Sequence, residues 1–174
     1  MATVKTLYPS TSSVDLTITL ASLASGSAGV YTTGRGSTAV DNTTNLDLDH
    51  LLSGKITLGT SPTASRSINV YAYADLSTAS GTPSYPDPII GSDAGVTFTS
   101  ANVQNSAVKF VASMTTDATS DRSYYFGPVS VASLFGGSLP KFWGVFVAQD
   151  SGVALNATAG NHKLSYERIQ AQSV

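Results

Sequence analysis

Residues 123–161 read SYYFGPVSVASLFGGSLPKFWGVFVAQDSGVALNATAGN, and they decide the fold more than any other part of the chain. They contain the only tryptophan, Trp143, and four of the six phenylalanines. Between Phe142 and Gln149 the side chains are apolar on both faces that an extended strand presents. Such a strand is buried on both faces, or a partner covers one of them. The stretch therefore predicts a strand at the folding core.

Alternating apolar and polar residues predict further strands on either side of this stretch. Residues 14–20 and 66–76 show a period of two, which is typical of strands with one face in the core. In residues 66–76, Tyr71 and Tyr73 fall on the face opposite the aliphatic side chains. Other strands are expected at residues 46–58, 96–99, 107–115, 123–126, 142–149 and 163–169. About eight strands with no long helix predict one all-β domain over residues 1–174, a two-sheet antiparallel sandwich, and they favour a jelly roll.

Glycine and proline mark the breaks between these strands. Residues 25–37 are rich in glycine and serine, which predicts a loop or a weak edge strand. Residues 80–92 contain three prolines and are expected to form a long irregular loop. Gly127–Pro128 is predicted to end the strand that begins at residue 123. Residues 129–135 fit either a strand or one or two helical turns.

Composition excludes several classes of function. Charged residues make up 11% of the 174-residue chain, against about 25% in an average protein. The net charge is −2 without a basic patch, so we expect no direct binding to nucleic acid. The absence of cysteine excludes disulfides, thiolate chemistry and cysteine-ligated zinc. No apolar run approaches the roughly 18 residues that span a bilayer, so no membrane partner is expected.

Two acidic residues and two histidines are the candidates for chemistry. Asp47 and Asp49 are two apart on an expected strand, which places both carboxylates on one face about 7 Å apart. That spacing is compatible with the acid/base pair of a glycosidase, but no apolar neighbour on that face would raise a pKa, so a solvated strand face is expected. His50 and His162 lack metal-ligand spacing, and we expect His50 to be packed or associated with a bulge. We predict no enzyme activity and no catalytic, metal or cofactor site.

The aromatic residues are candidates for a binding role. Interfaces are enriched in tyrosine and tryptophan, so the partner-binding candidates are Tyr71, Tyr73, Tyr85 and Tyr124. Ordinary core filling is the alternative for Tyr71 and Tyr73, and it is the favoured interpretation for Trp143.

Three segments of the chain resemble a family of tailed-bacteriophage virion proteins. They are LYPSTSSVDLTITLASLASG (residues 7–26), STAVDNTTNLDLDHLL (residues 37–52) and GPVSVASLFGGSLPKFWGVFVAQDSGVALNATAGNH (residues 127–162). The family carries a GPxSVAxxFGGxLPxxWG block, which this chain matches in the third segment. The resemblance covers nearly the whole chain, and its variable part is the proline-rich loop at residues 79–92.

The resemblance implies a structural place in the virion, assembled in the host cytoplasm, and not a reaction. It favours a capsid decoration (cement) protein, because the chain is compact and has neither fibre repeats nor a coiled-coil shaft. The partners would be the major capsid protein and other copies of the chain in a homo-oligomer. The alternatives are a tail, neck or fibre-associated structural protein, a module that binds host glycans through Tyr71, Tyr73 or Trp143, and a depolymerase that uses Asp47 and Asp49.

Overall fold

The computed structural model describes residues 3–9, 13–77 and 82–173 of the chain. The strands within these residues are β1 (Val4–Leu7), β2 (Val14–Asp15), β3 (Thr33–Gly36), β4 (Val40–Asp41), β5 (Asp49–Thr57), β6 (Ser67–Ala74), β7 (Ala94–Thr97), β8 (Lys109–Thr115), β9 (Ser123–Ser130), β10 (Phe142–Gln149) and β11 (Lys163–Ser173). The helices are α1 (Ala101–Ala107), α2 (Val131–Leu134) and a 3₁₀ turn, Ala159–Asn161. The predicted all-β class is confirmed, and the eleven strands exceed the expected eight because several are short.

Two antiparallel sheets pack face to face, as predicted. The five-stranded sheet has the order β1-β11-β5-β9, and β2 also pairs with β11. The six-stranded sheet has the order β7-β3-β10-β6-β8, and β4 also pairs with β10. Strands β1 and β2 can be taken as one interrupted strand, and so can β3 and β4. The first of these then pairs with the last strand, β11, and the second pairs with the next to last, β10. This order is compatible with the two Greek keys of a jelly roll, which stays a prediction.

The molecule contains two apolar clusters, one on each side of the six-stranded sheet. The cluster between the sheets includes Trp143 from β10 and Tyr166 from β11. The other cluster lies on the outer side of the six-stranded sheet, where Phe98 and the rings of β6 and β10 meet. Strand β10 is therefore buried on both faces, as the apolar pattern of residues 142–149 predicted. Strand β6 is also buried on both faces, although its alternating pattern predicted only one face in the core.

The two regions of sequence alternation before β5 were only partly interpreted correctly. Residues 14–20 do bury Leu16 and Leu20, but regular pairing is limited to the two residues of β2. At residues 46–49 the expected pattern is inverted, because Leu46 is 73% exposed and Asp47 only 6% exposed. The strand begins at Asp49, and Leu46 has a positive φ of 51°, so a turn sets the direction of the Asp47 side chain.

Other boundaries also differ from the prediction. Strand β9 continues through the cis Gly127–Pro128 bond, since its neighbour β5 tolerates a shift in register at that point. Helix α1 was not predicted, although Ser100 precedes it and its side chain accepts a hydrogen bond from the Val103 amide. Residues 82–92 form no strand, as expected, whereas residues 80–81 of the same predicted loop lie outside the described part of the chain.

We expect the outer apolar cluster to contribute as much stability as an ordinary core. Phe146→Ala should destabilise the protein by about 3–5 kcal/mol, because the ring is fully buried between Tyr71 and Phe98. Phe110→Ala is the matched control, since this ring packs on Tyr71 but is 55% exposed, and it should cost about 1 kcal/mol. Urea denaturation measures both, and equal losses would contradict this description of the cluster.

Candidate functional site

The structure places Tyr71 and Tyr73 in the core and not on an exposed face. Tyr73 is 0% exposed, and its hydroxyl donates a hydrogen bond to the Ser37 carbonyl at 2.6 Å. Tyr71 is 8% exposed and packs against Phe146. Gly144 lies directly beneath the Tyr73 ring, where a Cβ atom would collide with it. Core filling, the alternative given for Tyr71 and Tyr73, is therefore what their burial shows, because loops and β7 cover that side of β6 and leave neither ring exposed to a partner in the isolated chain.

The other two predicted tyrosines are half-buried and have internal contacts. Tyr85 packs edge-on against Tyr73, with ring centroids 5.6 Å apart. The Tyr124 hydroxyl accepts a hydrogen bond from the Asp117 amide at 2.9 Å. The tyrosine that sequence reasoning missed is Tyr125, which is 70% exposed. Strand alternation could have found it, because Tyr124 and Phe126 on either side turn towards the core.

Asp47 is the most strongly engaged carboxylate of the molecule, contrary to the predicted solvated strand face. Its Oδ2 accepts hydrogen bonds from His50 Nε2 at 2.9 Å and Arg168 Nε at 2.8 Å. Its Oδ1 accepts from Arg168 at 3.1 Å and from Gln170 Nε2 at 2.6 Å. Asp49 is engaged elsewhere, where it accepts from the Ala132 amide at the start of α2. The two carboxylates do not form a pair.

His50 joins this ion pair to the core. It is buried, as expected of a packed histidine, and its ring lies 4.3 Å from the Tyr166 ring between centroids. The indole Nε1–H of Trp143 donates to His50 Nδ1 at 2.9 Å, so the imidazole proton is on Nε2 and points at Asp47. Both ring nitrogens are therefore occupied.

The pKa shifts of Asp47 and His50 favour a structural role for this network over a role in proton transfer. Burial opposes ionisation of Asp47, but the hydrogen bonds from Arg168, His50 and Gln170 outweigh it and lower the pKa of the carboxyl. Burial lowers the pKa of His50, although Asp47 opposes that shift. A general acid of a glycosidase needs a raised carboxyl pKa, and Asp47 has the opposite shift.

His162 lies in a separate environment near the 3₁₀ turn. Its Nδ1 accepts a hydrogen bond from the Thr57 amide at 3.3 Å, and its Nε2 is 2.8 Å from the Asn156 carbonyl. Burial lowers its pKa as well. Like His50, it is occupied by protein groups on both nitrogens.

The main exposed arrangement of polar and aromatic groups lies on the outer face of the five-stranded sheet. Lys163 is directly opposite Lys55, which is directly opposite Tyr125, so the three side chains form one row across β11, β5 and β9. Lys163 Nζ is 3.1 Å from Asp15 Oδ1. The row borders an open depression of about 260 Å³ with Ser53 and Ser165 in its lining.

Within residues 3–9, 13–77 and 82–173, no group of three or more histidine or acidic side chains is placed to hold a metal ion. No helix in the described part of the chain combines the length and apolarity needed to cross a membrane. Comparison with known proteins finds no matching protein-family model, no matching curated protein and no matching solved structure.

We expect stability to fall as the pH drops below about 6.5. Unfolded histidines titrate near pH 6.5, whereas the folded pKa values of His50 and His162 are lower, so the unfolded state binds more protons in this window. The stability is present above that pH and is lost as the pH falls towards the folded pKa values. Urea titrations from pH 7.5 to 5 measure the slope, and His50→Gln should reduce it. A wild-type stability that rises on acidification would contradict this assignment.

Asp47 should matter for stability in a way that a surface acid does not. Asp47→Asn should destabilise the protein by about 3 kcal/mol, because it leaves Arg168 and the other donors around a neutral group. Asp15→Asn is the control, since it also removes a lysine-paired carboxylate but at the surface, and it should cost about 0–1 kcal/mol. Thermal and urea unfolding of both variants would reveal whether the predicted difference exists.

Proposed function

We propose that this chain is a bacteriophage virion structural protein, and that within the virion it is a decoration protein of the capsid. The first support is the resemblance of residues 7–26, 37–52 and 127–162 to tailed-phage virion proteins. The GPxSVAxxFGGxLPxxWG block of that resemblance corresponds to β9, α2 and the start of β10. These elements carry Trp143 and part of the main core, so the resemblance lies in residues on which the fold depends.

The observation that carries a binding role is the difference between the two outer sheet faces. The six-stranded sheet has an apolar cluster on its outer side, whereas the outer face of the five-stranded sheet exposes Lys163, Glu167 and Tyr125. A sheet face of this kind can contact another protein without any unfolding of the domain. A decoration protein acts by making such contacts, and these contacts contribute binding free energy to the assembled shell.

The internal use of polar groups favours a structural role over the alternatives. Asp47 and His50 bond to protein partners, which leaves neither of them free to act on a substrate. The rings of Tyr71, Tyr73 and Trp143 are buried, so they are not accessible for stacking on a glycan. A tail, neck or fibre-associated structural role remains the second candidate, and copy number separates it from decoration.

Decoration predicts many copies per particle and a stabilised shell. A protein that binds only the assembled shell stabilises it by mass action, so particles without the chain should release DNA at a lower temperature while adsorbing to cells normally. Quantitative mass spectrometry of purified virions gives the ratio of this chain to the major capsid protein, and a comparable number of copies is expected. A handful of copies, with loss of adsorption on deletion, would instead indicate a tail or fibre component. Absence of the chain from purified virions would disprove the virion proposal itself.

A further inference from the structure

We propose that the outer face of the five-stranded sheet is the docking surface, and that it binds a carboxylate-rich protein surface through Lys55, Lys163 and Tyr125. This inference rests on the proposed function, in which the partner surface belongs to the capsid shell. These two lysines and the tyrosine together are called the lysine row.

The lysine row is a consequence of strand register. Leu52, Ile56, Leu164 and Tyr166 face the core. The residues that alternate with them face outward, and these are Ser53, Lys55, Lys163 and Ser165. Pairing then places Lys163 against Lys55, and Lys55 against Tyr125. Like charges directly opposite each other on neighbouring strands destabilise a sheet. The two opposed lysines therefore lower the stability of the isolated domain, and a bound anionic surface would reverse that loss.

The charge around the row is only partly balanced. Asp15 is ion-paired to Lys163, and both side chains are more than half exposed. Among the described residues, Lys55 forms no ion pair within 4.0 Å, although it is half-buried on β5 between the neighbouring strands β11 and β9. Glu167 lies on the same face four residues from Lys163 along β11, so the unpaired positive charge of the row is that of Lys55 alone. Carboxylates on a partner complement it.

The face is large enough for a specific protein contact. Four strand positions at a spacing of about 4.8 Å, and the eleven residues of β11 at about 3.4 Å each, give a face of at most roughly 700 Å², because the other three strands are shorter. A standard protein interface buries about 800 Å² on each partner. Tyr125, on the edge strand β9, supplies a large aromatic side chain of the kind that interfaces favour, directly opposite Lys55.

An acidic protein surface fits these observations better than the other occupants. A second copy bound through the same face by a two-fold axis at the row would bring lysines against lysines. A small acidic sugar would need a concave site that buries most of its surface, whereas the depression beside Tyr125 is open. An open sheet face whose lysine and tyrosine side chains lie in a row near one end, where β11 begins, is suited to contact with another protein surface.

The test measures binding of the purified full chain to virions that lack it. Lys55→Glu with Lys163→Glu should weaken binding at least about tenfold at low salt, because attraction becomes repulsion. The control is Lys109→Glu with Lys141→Glu, which makes the same charge change at two exposed lysines outside the five-stranded sheet and should stay within about twofold of wild type. Tyr125→Ser should also weaken binding, and all variants should keep the wild-type unfolding temperature within a few degrees.

Salt provides a second measurement. Wild-type binding should weaken between about 50 and about 500 mM NaCl, because the screening length falls from roughly 14 Å to roughly 4 Å. The Lys55→Glu/Lys163→Glu variant should lose most of that salt dependence. If wild type binds the virions and both double variants bind equally well, the docking surface is wrong while the decoration proposal survives. If wild type does not bind at all, the decoration proposal fails together with this inference.

Two further outcomes would also overturn the inference. Wild-type self-association that disperses in the Lys55→Glu/Lys163→Glu variant, measured by sedimentation, would identify a second copy as the occupant. The wild type could also bind immobilised heparin. If the Lys55→Glu/Lys163→Glu variant lost that binding and still bound virions, the occupant would be an acidic polysaccharide instead.

Discussion

The buried contact between Asp47, His50 and Trp143 connects the two sheets, and much of the remaining structure depends on it. His50 belongs to β5 of the five-stranded sheet, and Trp143 belongs to β10 of the six-stranded sheet. The imidazole accepts from the indole on one side and donates to Asp47 on the other, while Arg168 neutralises the carboxylate. A buried charge is tolerated only when paired and hydrogen-bonded, and here every polar atom of the contact has a partner. The geometry therefore admits one relative position of these strands.

The second constraint is the covering of the six-stranded sheet on both sides. Strands β6 and β10 contribute aliphatic side chains and Trp143 to the core between the sheets, and aromatic rings to the outer cluster. The loop at residues 82–92, β7 and the residue after α1 supply the cover, including Ile89, Val96 and Val108. The five-stranded sheet has no equivalent apolar cluster on its outer side among the described residues. The two sheets therefore differ, because apolar side chains cover both faces of the six-stranded sheet and one face of the five-stranded sheet.

Burial of the tyrosines changes which surface can bind a partner. Alternation along β6 correctly separated Tyr71 and Tyr73 from the aliphatic residues, yet it could not reveal that later segments of the chain fold over them. Tyr125 is an exposed aromatic residue, and its neighbours on the strand are partly buried. The same reasoning applies to Asp47, where a turn at Leu46 reverses the side chain into the core. In both cases local periodicity singled out the residues, but it did not show which other segments of the chain bury them.

The sequence by itself determined the all-β class, the two-sided burial of residues 142–149, the irregular loop after residue 82 and the core position of Trp143. These follow from apolar periodicity, turn residues and the scarcity of helix formers, which are local properties of the chain. Only the tertiary structure decided the partners of Asp47, the burial of Tyr71 and Tyr73 and the alignment of Lys163, Lys55 and Tyr125. These depend on contacts between segments distant in sequence. Register and the path of the covering segments set such contacts, and a single strand's pattern contains neither.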